Sequence, residues 1–363
     1  MDEEIQIPKV SIITPTYNLI ENDLTDEFNL LVTLLNLQTY PDVEHIVINK
    51  ASNDETELLL MDYKSKGYLQ FYSEPDSGKY DALNKGIMRA KGKYVAFLSC
   101  DDFMHDITAL MEIIQLMEEN DADYSYAPAY TIHPEGYVFN FEPAMFNAFQ
   151  VVPCQRQAMV FKKSVLAAEG YFDDKFKIMA DFDLIMRLMM KEYVGVYYEK
   201  NYVTCRMSEK AIDFAERTEA ECRSVYIKNF RSLYPLTNEI VDKIVKYSEF
   251  PKPLLDKLSE FYPEEYKDYF YEACEEMHQL RLNALNPQAQ EEQIEEEVEN
   301  VQEEVQEEQA PPTPQTQTQA PNPGLPRSPG LPGMSGQSSM RPQMPGQSSI
   351  PPIRHTTPPG FNH

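Results

Sequence analysis

Between residue 5 and about residue 205, short runs of β-branched and aromatic residues alternate with stretches whose apolar residues fall at helical spacing. That alternation constrains the fold more than any other feature. Strands separated by helix-length connections must pair in parallel, with helices covering both faces of the sheet. VSIITPTYN (10–18) is the first such run, and His45–Ile48 the second, followed by a turn and a helix start near Ser52 to Asp54. YLQFYSEP (68–75) and KYVAFLSCDD (93–102) follow as the third and fourth. Each run ends in polar residues, the last in Asp101 and Asp102. In open α/β sheets ligands bind outside the carboxyl ends of the strands, so a site is expected there.

Past 205 the strand signal stops. EIVDKIVKY and EYKDYFYEACEEMHQLRL carry apolar and aromatic residues at helical spacing, and Pro235, Pro251, Pro253 and Pro263 separate the helices. From about 289 the composition is no longer that of a packed chain. The run QEEQIEEEVENVQEEVQEEQ sets Ile294, Val298, Val301 and Val305 on one helical stripe, but over only about two heptads. It reads either as an oligomerisation helix or as a solvated acidic linker. The last segment, rich in Pro, Gln, Ser and Gly, cannot bury enough surface to offset ordering entropy and is expected to be disordered. Three parts are therefore expected: 1–205, an α/β domain; 206–288, a helical extension; and 289–363, an acidic and then Pro-rich tail.

The formal net charge is −27. Ten Glu in 291–308 and three Arg beyond account for seven of those negative charges, leaving −20 on residues 1–290. So acidic a body repels nucleic-acid phosphates and anionic lipid, which argues against either as a partner. No run of 18 apolar residues occurs, and the start MDEEIQIPKV is acidic where a secretory leader would be basic and then apolar. No transmembrane segment is expected. The five cysteines are odd in number and contain no CxxC pair, which argues against a disulfide framework or a zinc site and for a reducing, cytoplasmic compartment.

The loop DSGKYDALNKG (76–86) packs two carboxylates, two lysines, two glycines and an asparagine between a strand and a helix. It matches neither GxGxxG nor GxxxxGK[ST], so the usual phosphate-loop readings fail on spacing. The pair Asp101-Asp102 suits Mg²⁺ or Mn²⁺, which is commonly held by one or two carboxylates and substrate phosphates. Its plain alternative is a cap on the helix that DITALMEIIQLMEEN forms next.

VSIITPTYN, IVINKASNDET, SEPDSGKYDALNKGIMRAKGKYVAFLSCDD and GYFDDKFKIMADFDLIMRL, in that order, resemble the inverting glycosyltransferases of family 2 over about residues 8–205. The resemblance implies a GT-A fold, a Rossmann-like and mostly parallel sheet flanked by helices. It also implies a nucleoside diphosphate sugar donor, with UDP-hexose placed first, and Mn²⁺ or Mg²⁺. Thr14, Pro15, Thr16 and Tyr17 would then flank the base and ribose, with Asn49, Asp76 and Asp81 on the nucleoside side. Lys79, Asn84 and Lys85 would belong to the loop that wraps the donor. Gly78 and Gly86 would allow close backbone approach, and each lysine could instead be a solvent-facing residue at a helix start. Asp101 would stand in the ribose or metal shell and Asp102 would be the direct metal ligand. Asp181 matches the general base, against the plain reading of a helix N-cap. Asp183 is its rival, although Asp183 is also spaced for an ion pair with Arg187.

Arg156, Gln157 and Asp183 are placed on the acceptor side, and 206–288 would close over that side or make a subunit contact. The acceptor's class, whether carbohydrate, lipid-linked or protein, stays open. The chain departs from the family where many members carry an aspartate after the second strand, having Asn49 and Lys50 there, and in carrying Arg156 where histidine is common. Two other functions remain open: a silent nucleotide-sugar binder, and a scaffold acting through the tail.

Overall fold

The structure, a computed structural model, describes residues 9–207 and 215–285. The acidic run and tail expected from 289 onward lie outside the described residues. The first half runs β1 (Val10–Thr16), α1 (Thr25–Asn36), β2 (Val43–Asn49), α2 (Thr56–Ser65), β3 (Gln70–Ser73), α3 (Lys79–Arg89) and β4 (Tyr94–Phe97). There follow β5 (Phe103–Met104), α4 (Ala109–Glu119), β6 (Tyr124–Tyr126), β7 (Ala129–Ile132), β8 (Val138–Phe141), β9 (Met159–Lys162) and α5 (Lys163–Ala168). The remainder is α6 (Ala180–Met190), β10 (Gly195–Tyr197), β11 (Val203–Arg206), α7 (Ala215–Phe230), α8 (Asn238–Tyr247), α9 (Lys252–Ser259) and α10 (Lys267–Leu285).

The main sheet has the order β10-β6-β9-β4-β1-β2-β3 and is parallel except at β9, which runs antiparallel to both β4 and β6. A smaller sheet, β5-β11-β7-β8, stands beside it. This is the expected mostly parallel α/β architecture followed by helices. Thr16 pairs with Asn49 and Asn49 with Ser73, so β1, β2 and β3 end flush. The order reverses at β1, which has β4 on one side and β2 on the other. Such a reversal opens a crevice at the strands' carboxyl ends.

Successive residues of β1 serve opposite faces. Ile13 packs with Ile46, Ile48, Phe97, Tyr80 and Leu83, whereas Ile12 packs with Phe28, Leu31, Val47, Ala96 and Ile113. Gly86 is where α3 meets the sheet: a Cβ there would lie 2.3 Å from Ile13 Cγ2. The glycine there is required by packing against Ile13. The helices α7–α10 add Val225, Tyr226, Phe230, Val241, Ile244, Leu254, Leu258 and Phe270 to the cluster that holds Ile13 and Phe97. The helical segment is thus core-forming material for the α/β part. No helix among the described residues is long and apolar enough to cross a membrane.

Candidate active site

The loop 76–86 is built mainly to hold itself. Gly78 adopts φ +142°, a left-handed value that favours glycine. Asp81 Oδ2 accepts the Ser77 amide at 2.8 Å, and Asp81 pairs with Lys85 at 3.3 Å. Lys85 Nζ also donates to the Pro75 carbonyl at 2.6 Å. Asn84 ties α3 to a neighbouring loop, donating to the Phe172 carbonyl at 2.8 Å and accepting the Phe172 amide at 3.1 Å. The Asp76 side chain is nearly buried, accepts the Gly78 amide and pairs with Lys50 at 3.2 Å. Asp81, Asn84 and Lys85, expected to bind the donor, are therefore occupied as structural ties. Lys79 is the member of the loop that lines the large cavity.

That cavity, ≈ 880 Å³ in volume, opens at the crevice. Asn22 and Leu24 come from the segment after β1, Lys79 from the start of α3, and Ser99 and Asp101 from the turn after β4. The β7–β8 hairpin and the end of β11 form another wall, with His133 and Arg206. Cys154, Gln155, Arg156, Gln157 and Asp181 close it.

The acidic pair divides. β4 stops at Phe97, so both carboxylates lie in the turn toward β5. Asp102 is fully buried, its Oδ2 accepting the Ser99 amide at 2.6 Å and its Oδ1 the Arg206 amide at 3.2 Å. It ties the turn to β11, and Asp101 is the carboxylate presented to the cavity. Asp102, expected as the direct metal ligand, is thus engaged with two backbone amides. Nor does the pair cap the next helix, because Asp106 Oδ1 takes the Thr108 amide and hydroxyl ahead of α4. Burial, reinforced by Asp102, pushes the Asp101 carboxyl up to about 6. Its nearest cation, Arg206, stands 3.7 Å away, too far for a hydrogen bond. A carboxylate of this kind fits Mn²⁺ or Mg²⁺ if phosphates and water complete the shell.

Asp181 is the second residue of α6, and neither of its oxygens caps that helix. Oδ2 accepts from Arg156 Nη1 at 2.7 Å and lies 2.9 Å from the Tyr80 hydroxyl, while Oδ1 is buried without a partner. The amides that precede α6 are gathered by Glu221 of α7, whose carboxylate accepts from Lys177, Ile178 and Met179 at 2.8–3.0 Å. Burial alone would raise the Asp181 carboxyl. The charges of Arg156 and Lys79, with hydrogen bonds from Arg156 and Tyr80, outweigh it and hold the group below the ordinary carboxylate range. Lys79 is solvent-accessible through the cavity yet lies deep among protein atoms. That setting, with Arg156 nearby, brings its ammonium down to about 8.

The residues expected around the nucleoside are less available. Thr14 is buried with its hydroxyl 3.0 Å from His45 Nε2. Asn49 is buried too, donating to Ser73 Oγ and accepting from Ser52 Oγ at 2.6 Å, so both ends of its amide are engaged. Pro15 is half-buried, Thr16 buried with an unpartnered hydroxyl, and Tyr17 half exposed with Lys50 over its ring. Arg156 and Gln157, expected on the acceptor side, line the cavity. Asp183 does not. It is buried on α6 between Arg187 Nε at 2.9 Å, Lys228 and Asn229, which confirms its ion pair and removes it as a rival base.

The profile described as glycosyl transferase family 2 matches residues 11–171. An uncharacterized glycosyltransferase of Mycobacterium tuberculosis is 33% identical over 192 residues, which are 50% of this chain and 68% of that protein. The chain belongs to glycosyl transferase family 2. An uncharacterized glycosyltransferase of Rickettsia bellii is 35% identical over 129 residues, or 35% of this chain and 18% of that protein. The chain spans 18% to 64% of the length of the rickettsial relatives it matches. In three dimensions it is similar to S. aureus TarS 1-349 in complex with UDP-GlcNAc, with a TM-score of 0.51 and 15% identity over 78% of this chain and 92% of that one. That likeness concerns the fold.

Family 2 motifs point to Asp101, Lys79 and Asp181 in the sequence, and Arg156 stands out as a departure from them, but other members of the site carry no such mark. Tyr80 stands inside the quoted loop as one more apolar helix residue until its hydroxyl is seen beside Asp181. Glu221, His133 and Arg206 arrive from a helix, a hairpin and a strand remote in sequence. For Arg206 the available signal was a lone arginine ending a strand; for Glu221 and His133 there was none.

Proposed function

We propose that this family 2 chain transfers a hexose from a nucleoside diphosphate sugar, UDP-hexose first, to an acceptor hydroxyl with inversion at the anomeric carbon. The observation that carries this reading is Asp181. It is an ionised carboxylate on the wall of an ≈ 880 Å³ cavity, held through Oδ2 and with Oδ1 unpartnered. Arg156 and Lys79 keep this carboxylate ionised at the cavity wall despite its burial, which is the form a general base needs.

The acceptor hydroxyl gives its proton to Asp181 as its oxygen bonds to the anomeric carbon. The bond from that carbon to the phosphate oxygen breaks, and the electron pair leaves with the nucleoside diphosphate. Lys79 stands where an ammonium can meet the phosphate charge, and Asp101 would hold Mn²⁺ or Mg²⁺, which supplies further neutralisation of the leaving group. UDP donors come first because TarS, sharing the fold, was crystallised with UDP-GlcNAc.

The test is release of nucleoside diphosphate from a panel of UDP- and GDP-sugars with Mn²⁺ or Mg²⁺, first with water and then with candidate sugar acceptors. Asp181→Asn is expected to lose roughly 10² to 10⁴ in turnover, the usual size of a general-base contribution, while the thermal shift given by UDP is kept. Near-normal turnover in that variant would end the general-base reading. A retained anomeric configuration in the product would end the single-displacement mechanism.

A further inference from the structure

Arg187 and Arg156 both pair with an aspartate of α6, but they are satisfied very differently. Arg187 gives Nε to Asp183, Nη1 to the Glu169 carbonyl and Nη2 to the Tyr171 carbonyl, so each of its three nitrogens is engaged, as in a guanidinium that holds a fold together. Arg156 is more deeply buried, 6% exposed, yet its Nε has no partner. Its one hydrogen bond of 2.7 Å goes to Asp181 Oδ2, and it sits on the cavity wall in a short 3₁₀ turn just ahead of β9.

We propose that Arg156 is a positioning residue for Asp181: with Tyr80 it holds Oδ2 and so fixes the orientation of the carboxylate at the cavity wall. The inference rests on Asp181 being the general base. A carboxylate free to rotate would offer either oxygen in many orientations, and fixing one oxygen at two points removes that freedom before substrate arrives. The same pairing keeps the carboxylate ionised despite its burial. The groups that face Asp181 are Lys79 and Tyr80 from α3, Arg156 and Cys154 from the segment before β9, and Glu221 across the start of α6. Of these, Arg156 exerts the largest downward pull on the carboxyl.

The experiment uses the full chain labelled with [4-¹³C]aspartate, the Asp181 carboxyl signal being assigned by its loss in Asp181→Asn. Its titration is compared in wild type, Arg156→Gln and Arg156→Lys, beside the pH profile of UDP release from UDP-GlcNAc, UDP-glucose and UDP-galactose. Removing a cation within hydrogen-bond range is expected to raise the Asp181 midpoint by about 1 to 3 pH units in Arg156→Gln, with the acid limb of activity following it. Arg156→Lys is expected to bring the midpoint back toward wild type while turnover stays roughly 10- to 100-fold down, since the charge returns without the geometry. An Asp181 that titrates in Arg156→Gln as it does in wild type overturns the proposal. If Arg156→Gln does not fold, Arg156→Lys decides alone, and wild-type turnover in it overturns the proposal too. Normal turnover in Asp181→Asn, by contrast, removes the general base itself, and the carboxyl titration still reports whether Arg156 governs Asp181.

Discussion

Single side chains in this protein are sorted by what already holds them. Asp101 and Asp102 are neighbours with opposite duties, and substitution separates them. Asp101→Asn is expected to keep the melting midpoint and lose the Mn²⁺-dependent part of the thermal shift given by UDP. Asp102→Asn is expected to unfold more easily, because an amide cannot accept both backbone hydrogen bonds as a carboxylate does, and an unmet buried donor costs about 1–3 kcal/mol. An Asp102→Asn protein as stable as wild type would contradict that division. His45 offers a second case. It is buried against Thr14 with Nδ1 unpartnered, and burial takes its pKa from 6.5 down to about 3. The folded form therefore stays neutral where the unfolded chain takes up a proton. The stability it protects is complete above pH 6.5 and falls by about 1.4 kcal/mol per pH unit below that, toward pH 3. His45→Gln is expected to shallow the loss of stability between pH 6 and 4 in denaturant titrations, and an unchanged slope would refute it.

At the level of elements, the start of α6 is set by a helix that belongs to the C-terminal segment. Glu221 on α7 holds the three amides before α6, which leaves Asp181 free of the capping duty its position suggests. Glu221→Ala should therefore do two things at once. It strands backbone donors, at about 1–3 kcal/mol for each that water cannot reach, and each kcal/mol lowers Tm by roughly 2–4 °C in a chain of this size class. It should also lower turnover while donor binding, measured by thermal shift, is kept. A variant with normal Tm and normal turnover would mean that α6 is held by packing alone.

For the whole molecule, the shared core decides where the chain can be cut. Phe149 meets Phe230, Tyr262 and Phe270 edge to face at 6.0–6.3 Å, and Phe182 meets Tyr226 at 5.7 Å. Each large side chain left uncovered forfeits about 1.5–3 kcal/mol, against a total stability of about 5–15 kcal/mol. A chain ending at Arg206 is therefore expected to be insoluble or unfolded, and a chain ending at Leu285 to melt as the full chain does. The second expectation follows from composition, since 289–363 is acidic and then Pro-, Gln- and Ser-rich. Soluble, cooperatively melting protein from the shorter chain would show that the helices are an accessory.

Local pattern was enough for the first four strands, β1 to β4, but not for β5 to β11, the antiparallel β9 or the second sheet. VSIITPTYN, His45–Ile48 and KYVAFLSCDD read as strands because β-branched runs and their spacing are local properties, and parallel pairing follows from the helix-length connections. Asp181 was visible too, because its motif is contiguous. What each carboxylate does was not visible in a string of letters. Asp81, Asn84 and Lys85 share a motif with Lys79, yet only the folded loop shows three of them bonded to their own backbone surroundings and one turned to the cavity. Asp102 was separated from Asp101 by the amide of Arg206, 104 residues away, and Asp181 was relieved of capping by Glu221. Sequence determined which groups could do chemistry at the ends of the strands. Tertiary structure decided which of them remain free to do it, since a hydrogen bond already satisfied by the protein cannot be offered to a substrate.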